Sequence, residues 1–124
     1  MERDDKQTIT PYFTVKDADG FINFVRRVFK ADLFKQDRYT DGKIQHVRLD
    51  IDGSVIMINQ ASDHYQPNQS QMHVYVDSVE QTYALALEQG STSLMAPNLR
   101  PHGDRMAGFK DPFGNIWWVA EKIG

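Results

Sequence analysis

Period-two alternation opens the chain. From Thr8 to Lys16 polar and apolar residues take turns, with Phe13 and Val15 on one face and Thr10, Tyr12 and Thr14 on the other, which predicts a strand. The period then lengthens. Phe21, Phe24, Val25 and Val28 recur at helical spacing behind Asp17, a residue suited to an N-cap, so a helix to about Lys30 follows. Three further strands are expected at about 33–39, 44–51 and 54–59, with turns at Asp41-Gly42 and Asp52-Gly53. Residues 61–70 are polar, contain Pro67 and predict a linker.

The order then restarts. Gln71 to Val76 alternates, with Met72, Val74 and Val76 on one face and Gln71, His73 and Tyr75 on the other. Ser78 and Gln81 have capping-box spacing ahead of a helix over about 79–89, and Gly90 supplies its left-handed stop. Strands are expected near 91–95, 104–110 and 115–121, the first two separated by a loop holding Pro97, Pro101 and Gly103. Both halves therefore read βαβββ. A single offset of 61 residues pairs Val15 with Val76, Gly42 with Gly103, Asp50 with Asp111 and Gly53 with Gly114. These matches fall on turns and strand ends, so the pattern predicts an internal duplication with no net insertion. The expected architecture is one α+β domain over 1–124, with module one at about 8–60, the linker at about 61–70 and module two at about 71–124. Asp50 to Gly53 and Asp111 to Gly114 both set Asp first and Gly fourth, the type I preference, which makes the two aspartates turn formers.

Composition narrows the field. With 40% hydrophobic and 25% charged residues in 124, the chain suits a globular core. Cysteine is absent, which excludes disulfides, thiol nucleophiles and cysteine-ligated zinc. A net charge of −3 leaves no basic footprint for nucleic acid, and Arg26, Arg27 and Lys30 read as a solvated helix face. The segment Met1 to Lys6 is charged and lacks the apolar stretch of a secretory signal, and no apolar run approaches the roughly 20 residues of a bilayer span. A cytoplasmic location is expected, with neither nucleic acid nor membrane as partner. No phosphate-cradling glycine loop, Gly-x-Ser-x-Gly elbow or zinc-protease helix motif occurs.

The stretch Gly103-Asp104-Arg105, then Asp111-Pro112-Phe113-Gly114, then Trp117-Trp118 carries a resemblance. With Pro11-Tyr12 ahead of Val15-Lys16-Asp17, and with His73-Val74-Tyr75-Val76-Asp77, it resembles the vicinal oxygen chelate (glyoxalase/bleomycin resistance/dioxygenase) superfamily, in particular its PhnB-like bacterial branch. The resemblance covers nearly the whole chain. It implies paired βαβββ modules whose curved sheets enclose a cleft, and a homodimer. Metal-using relatives grip a divalent ion with His or Gln on each opening strand and Glu on each closing strand. The matching positions are Thr10, Gln71, Met57 and Trp118, paired at the same offset of 61. Thr, Met, Trp and a lone amide are poor donors for such an ion, so no metal and no other cofactor is expected. That departs from the family's metal-dependent isomerases, epimerases, ring-cleaving dioxygenases and thiol transferases.

The implied cleft would be lined by Tyr12, Met57, Tyr75 and Trp118, with His46, Gln71 and His73 as polar groups, a lining suited to a flat or amphipathic organic ligand. The alternative is that these side chains fill the space themselves as core. Trp117 should point the other way, against a helix. Arg105 either reaches an anionic ligand or holds Asp104 or a turn carbonyl. His46 and His73 face the cleft because Val47, Leu49 and Ile51 claim the opposite face; with Gln71 they form a weak zinc or nickel site, or line the cleft without a metal. His64 and His102 lie on predicted loops. The expected function is metal-free binding of a small organic molecule, for which bleomycin-type sequestration is the family precedent. The alternatives are a metal-dependent lyase, isomerase or dioxygenase-type enzyme, a metal-free acid–base enzyme, or a dimeric accessory module.

Overall fold

Alternation and helical periodicity become ten elements in a computed structural model that describes residues 7–122. Strand β1 (Tyr12–Val15) leads into helix α1 (Ala18–Phe29), then β2 (Asp32–Arg38), β3 (Ile44–Ile51) and β4 (Ser54–Gln60). The second half repeats this as β5 (Gln71–Tyr75), α2 (Val79–Glu88), β6 (Thr92–Leu99), β7 (Asp104–Lys110) and β8 (Ile116–Lys122). Each half closes its own four-stranded sheet, ordered β1-β4-β3-β2 and β5-β8-β7-β6, with the first strand parallel to the last and the other pairs antiparallel. The fold is α+β, built from two tandem βαβββ modules. The described residues cluster into two units, one reaching Arg26 and resuming over Lys30–Asn68, the other holding Arg27–Phe29 and the chain from Gln69 onward. Among them no helix is long and apolar enough to cross a membrane. The reading of Met1 to Lys6 falls outside the described residues.

Local chemistry explains the boundaries. Asp17 Oδ1 accepts the Gly20 amide at 3.0 Å and Ser78 Oγ accepts the Gln81 amide at 3.2 Å, each satisfying a donor that the first helical turn leaves open. Helix α1 ends on Lys30 at φ 57°, and α2 is followed by Gly90 at φ 98°. In the first unit Phe13, Val15, Phe21, Val25, Val47, Leu49 and Ile58 are buried, the apolar faces of strand and helix meeting as the pattern requires. The second unit buries Val79, Phe109, Trp117 and Val119, and the Trp117 ring lies 4.8 Å from Phe29 in the last turn of α1. Trp117 thus faces a helix, as its place in the alternation predicts.

Three local expectations are corrected. First, β1 starts at Tyr12 rather than Thr8, so Thr10 precedes the strand. Pro11 has no N–H for the ladder; its carbonyl accepts the Met57 amide at 2.9 Å, and paired register begins at Tyr12 opposite Met57. Second, β6 continues through Pro97 to Leu99, where a loop was expected. It is the edge strand of its sheet and its ladder slips between Met95 and Asn98, a place where a missing N–H is tolerated. Third, Ile51 pairs directly with Ser54 across Asp52 (φ 48°) and Gly53 (φ 95°), so this turn is type I′ and not type I.

The twin turn is one residue longer. Asp111 N–H donates to the Asn115 carbonyl at 2.8 Å, Gly114 N–H donates to the Asp111 carbonyl at 3.2 Å, and Gly114 has φ 94°. Tyr12 and Met57 are register partners, as are His73 and Trp118, and both sets keep the 61-residue offset. Met57, however, faces Arg48 whereas Trp118 faces Gly108, an offset of 60 on β3 and β7. The difference is absorbed at Gln45: Asp37 faces His46 but Arg38 faces Ile44, so Gln45 bulges out of β3.

Candidate functional site

The bulge matters because it turns two consecutive residues toward the same space. Gln45 and His46 both line a pocket of about 560 Å³ that lies wholly in the first unit. Tyr12 and Thr14 line it from β1 and Asn59 from β4, where Thr14 and Asn59 are register partners. Asn59 is buried and accepts the Thr14 hydroxyl at 2.6 Å. Tyr39, at the start of the β2–β3 turn, adds an aromatic wall.

The segment after β4 supplies the rest. Far from being a plain tether, it binds itself to the sheet edge. Asn68 accepts the Thr14 amide at 2.9 Å, donates from Nδ2 to the Tyr12 carbonyl at 3.0 Å, and donates its own amide to the Thr14 carbonyl at 3.0 Å. Upstream, Ser62 N–H donates to the Tyr65 carbonyl at 2.9 Å while Ser62 Oγ accepts the amides of His64 and Tyr65. This compact turn holds Tyr65 over the pocket.

Three side chains on the pocket face of the sheet form a hydrogen-bonded row. Arg48 Nε donates to His46 Nε2 at 3.1 Å, and His46 Nδ1 lies 3.3 Å from the Tyr12 hydroxyl oxygen. The Tyr12 and His46 rings are 5.9 Å apart and tilted by 49°. Burial pushes the His46 imidazole below its ordinary value, and the Arg48 and Lys35 charges push the same way, against a smaller pull from Asp37. Burial, with Tyr65 and Tyr39 nearby, pushes the Tyr12 phenol up. Both shifts favour the neutral forms, an imidazole and a protonated phenol.

Of the residues singled out in the sequence, Tyr12 and His46 meet in this pocket. Met57 is half-buried, opposite Tyr12 and Arg48 in the ladder, and is not among the lining residues. Gln71 and Trp118 meet in the second unit, where the indole N–H donates to the Gln71 amide oxygen at 2.7 Å. His73 and Tyr75, both exposed on β5, make an edge-on ring contact at 5.0 Å. The Tyr75 hydroxyl reaches Asp104 at 3.4 Å, and His102 approaches the same carboxylate at 3.7 Å. Arg105 does not belong with them. It faces Glu121 in the ladder, three residues from Gly108, so it projects from the opposite side of the sheet to Trp118. There it pairs with Glu80 of α2 at 2.5 and 2.8 Å, rather than with Asp104 or a turn carbonyl.

Several of the side chains considered as donors for an ion are engaged within their own units. His46 has both ring nitrogens in hydrogen-bond contact with Arg48 and Tyr12, and the Gln71 oxygen is taken up by Trp118. Among the described residues no three His, Cys, Asp or Glu side chains group closely enough to hold an ion. The lining residues that pattern reading passed over are Thr14, Tyr39, Gln45, Asn59, Tyr65 and Asn68. Thr14 carried a signal, since it alternates onto the Tyr12 face. The others sit at a turn, a bulge, a strand end or an irregular segment, where no periodicity marks a face.

Two sheets of this order, each with its helix between first and second strands, define a duplicated βαβββ protein. The family model for the Glyoxalase/Bleomycin resistance protein/Dioxygenase superfamily matches residues 8–119, and the chain belongs to that superfamily. An uncharacterized protein of Mycobacterium bovis is 27% identical over 126 residues, covering 93% of this chain and 83% of its own. Among solved structures, TioX from Micromonospora sp. ML1 superposes with a TM-score of 0.77 at 20% identity, covering 94% of this chain and 99% of that one. A PhnB protein from Bacillus cereus superposes at 0.71 with 15% identity, covering 93% and 99%. These structural likenesses are likenesses of fold.

Proposed function

We propose that this protein binds a small organic molecule, without a resident metal ion, in the first unit's pocket. The carrying observation is the lining: three tyrosines for apolar contact around a few convergent polar groups, at a volume usual for small-molecule sites. The donor chemistry supports the metal-free part of the reading, since His46 is engaged on both nitrogens and, among the described residues, no carboxylate lines the pocket. The expected setting is cytoplasmic and homodimeric, with the small molecule as the partner.

Two measurements test it. Protein purified without chelator should carry far less than one zinc, nickel or iron per chain; near-stoichiometric metal, lost in His46→Ala, would overturn the metal-free reading. Planar aromatic compounds titrated into ¹⁵N-labelled protein should shift the amides of residues 12–14, 45–46 and 65–68. Shifts confined to the second unit would place the binding site elsewhere.

A further inference from the structure

We infer that Arg48, acting through His46, fixes the Tyr12 hydroxyl as a hydrogen-bond donor, so that the pocket selects aromatic molecules bearing an acceptor oxygen, above all a carboxylate, over cationic ones. The inference rests on the pocket being the binding site and goes on to name the class of ligand.

A guanidinium can only donate. The 3.1 Å contact from Arg48 Nε therefore makes His46 Nε2 an acceptor with no hydrogen of its own. A neutral imidazole then carries its hydrogen on Nδ1, the nitrogen that faces the Tyr12 hydroxyl. Nδ1–H donates to the phenol oxygen, and the phenol's own hydrogen turns away from His46. Tyr12 is 42% exposed and lines the pocket, so that hydrogen is available to a ligand. Arg48 is thus a positioning residue, and Tyr12 is the group that touches the ligand.

The surrounding charges point the same way. The charged groups that bear on His46 are Arg48 on its own strand and Lys35 and Asp37 on β2, while Tyr12 faces it from β1. Among the described residues, Arg48 and Lys35 press on His46 more strongly than Asp37 does. Tyrosine rings by themselves could cradle an ammonium group, but here it would sit beside Arg48 and Lys35 and meet a hydroxyl that donates instead of accepting. A carboxylate gains on both counts. The volume admits a two-ring aromatic framed by Tyr39 and Tyr65.

The test uses the full chain and three matched probes: 2-naphthoate, 2-naphthylmethylammonium and 2-methylnaphthalene. Amide shifts in the pocket should give 2-naphthoate an affinity about tenfold or more above the ammonium probe, the gain of one charge-assisted hydrogen bond. Tyr12→Phe, which removes only the hydroxyl, should weaken 2-naphthoate about tenfold and leave 2-methylnaphthalene within about twofold. Long-range ¹⁵N–¹H spectra should show His46 protonated on Nδ1 in the wild type, with that preference lost in Arg48→Met and kept in Arg48→Lys. A role for Arg48 in stability alone would not move the tautomer. Equal or tighter binding of the ammonium probe, or an Nε2–H tautomer in the wild type, overturns this inference and leaves the pocket standing. If none of the three probes shifts the pocket amides, the binding-site reading falls with it.

Discussion

The two units share a topology, and the cross-strand pair beside the closing strand sets them apart. In the second unit Trp118 lies opposite Gly108, and a Cβ built on that glycine would overlap the indole ring outright. The ring's six-membered side packs against Gly108 on the neighbouring strand, with its N–H held by Gln71. In the first unit the same pair is Met57 and Arg48; here the strand neighbour carries a long side chain, which reaches along the face to His46. One sheet face is covered by its own tryptophan. The other carries a polar row beside a pocket. Duplication thus supplies two copies of a scaffold, and the residue opposite the closing strand decides what each face holds.

The buried turn of the second unit gives the largest expected effect. Asp111 is 4% exposed and accepts the Trp117 indole N–H at 2.8 Å and the amides of Phe113 and Asn115 at 2.8 and 2.9 Å. Burial pushes its carboxyl up, and these donors pull it partly back. Asp50, at the matching place in the first unit, accepts the Gly53 amide at 2.6 Å in a more open setting. Asp111→Ala leaves two buried donors and one part-buried donor without this acceptor and should cost about 3–5 kcal/mol in denaturant unfolding, against about 1 kcal/mol for Asp50→Ala. Equal losses would show that the two turns are energetically alike after all.

Next in size is the Trp118 and Gly108 pair. Gly108→Ala should cost about 1–3 kcal/mol, because the methyl group enters space that the indole occupies. Most of that loss should vanish in the Trp118→Ala background, where the overlap is gone. Additive losses would mean that the glycine is needed for its backbone and not for the ring. The same double variant sharpens the comparison of the units, since it removes from the second sheet the ring that the first sheet lacks.

How much of this was legible follows the distribution of periodic signal. Strands β3 and β7 match their expected ranges because buried Val47 and Leu49, and Ala107 and Phe109, alternate with polar or small neighbours. The helix starts were legible in Asp17 and Ser78, whose side chains accept the very amides that capping needs. Pro11 and Pro97 misled in opposite directions: one excludes a residue from a ladder, while the other is accommodated at a sheet edge, and a one-dimensional pattern does not show which strand is the edge. Tyr12 and His46 could be placed by parity. Arg105 could have been, since it sits an odd number of residues from Gly108. Gln45 could not, because a bulge breaks the parity rule. Tyr65 and Asn68 sit in a segment that copies no strand period, and what fixes them is Ser62 and the edge of β1.

A smaller effect is expected from His46. Its imidazole is held below 6.5 in the folded protein, so below that pH the unfolded chain binds a proton that the folded one does not. Stability should therefore decline as pH falls from about 6.5 through the lower folded value, and His46→Gln should flatten that part of the profile. The partial exposure of the ring keeps the change modest. A steeper decline in His46→Gln than in the wild type would mean that the charged form is the one the pocket holds.

The smallest effect is predicted for the most conspicuous ion pair. Arg105 meets Glu80 at 2.5 and 2.8 Å, and Arg38 meets Asp19 at 2.6 Å in the first unit. Both pairs tie a helix to its sheet, and both sit where water screens them, so a short distance does not translate into much free energy. Arg105→Ala and Arg38→Ala should each leave the unfolding midpoint within the scatter of repeated measurements at moderate salt. Arg105→Ala should also leave 2-naphthoate affinity unchanged, since the residue is on the face of its own sheet opposite Trp118 and does not line the first unit's pocket. A marked loss of affinity in that variant would return Arg105 to the ligand site and break the assignment of binding to the first unit.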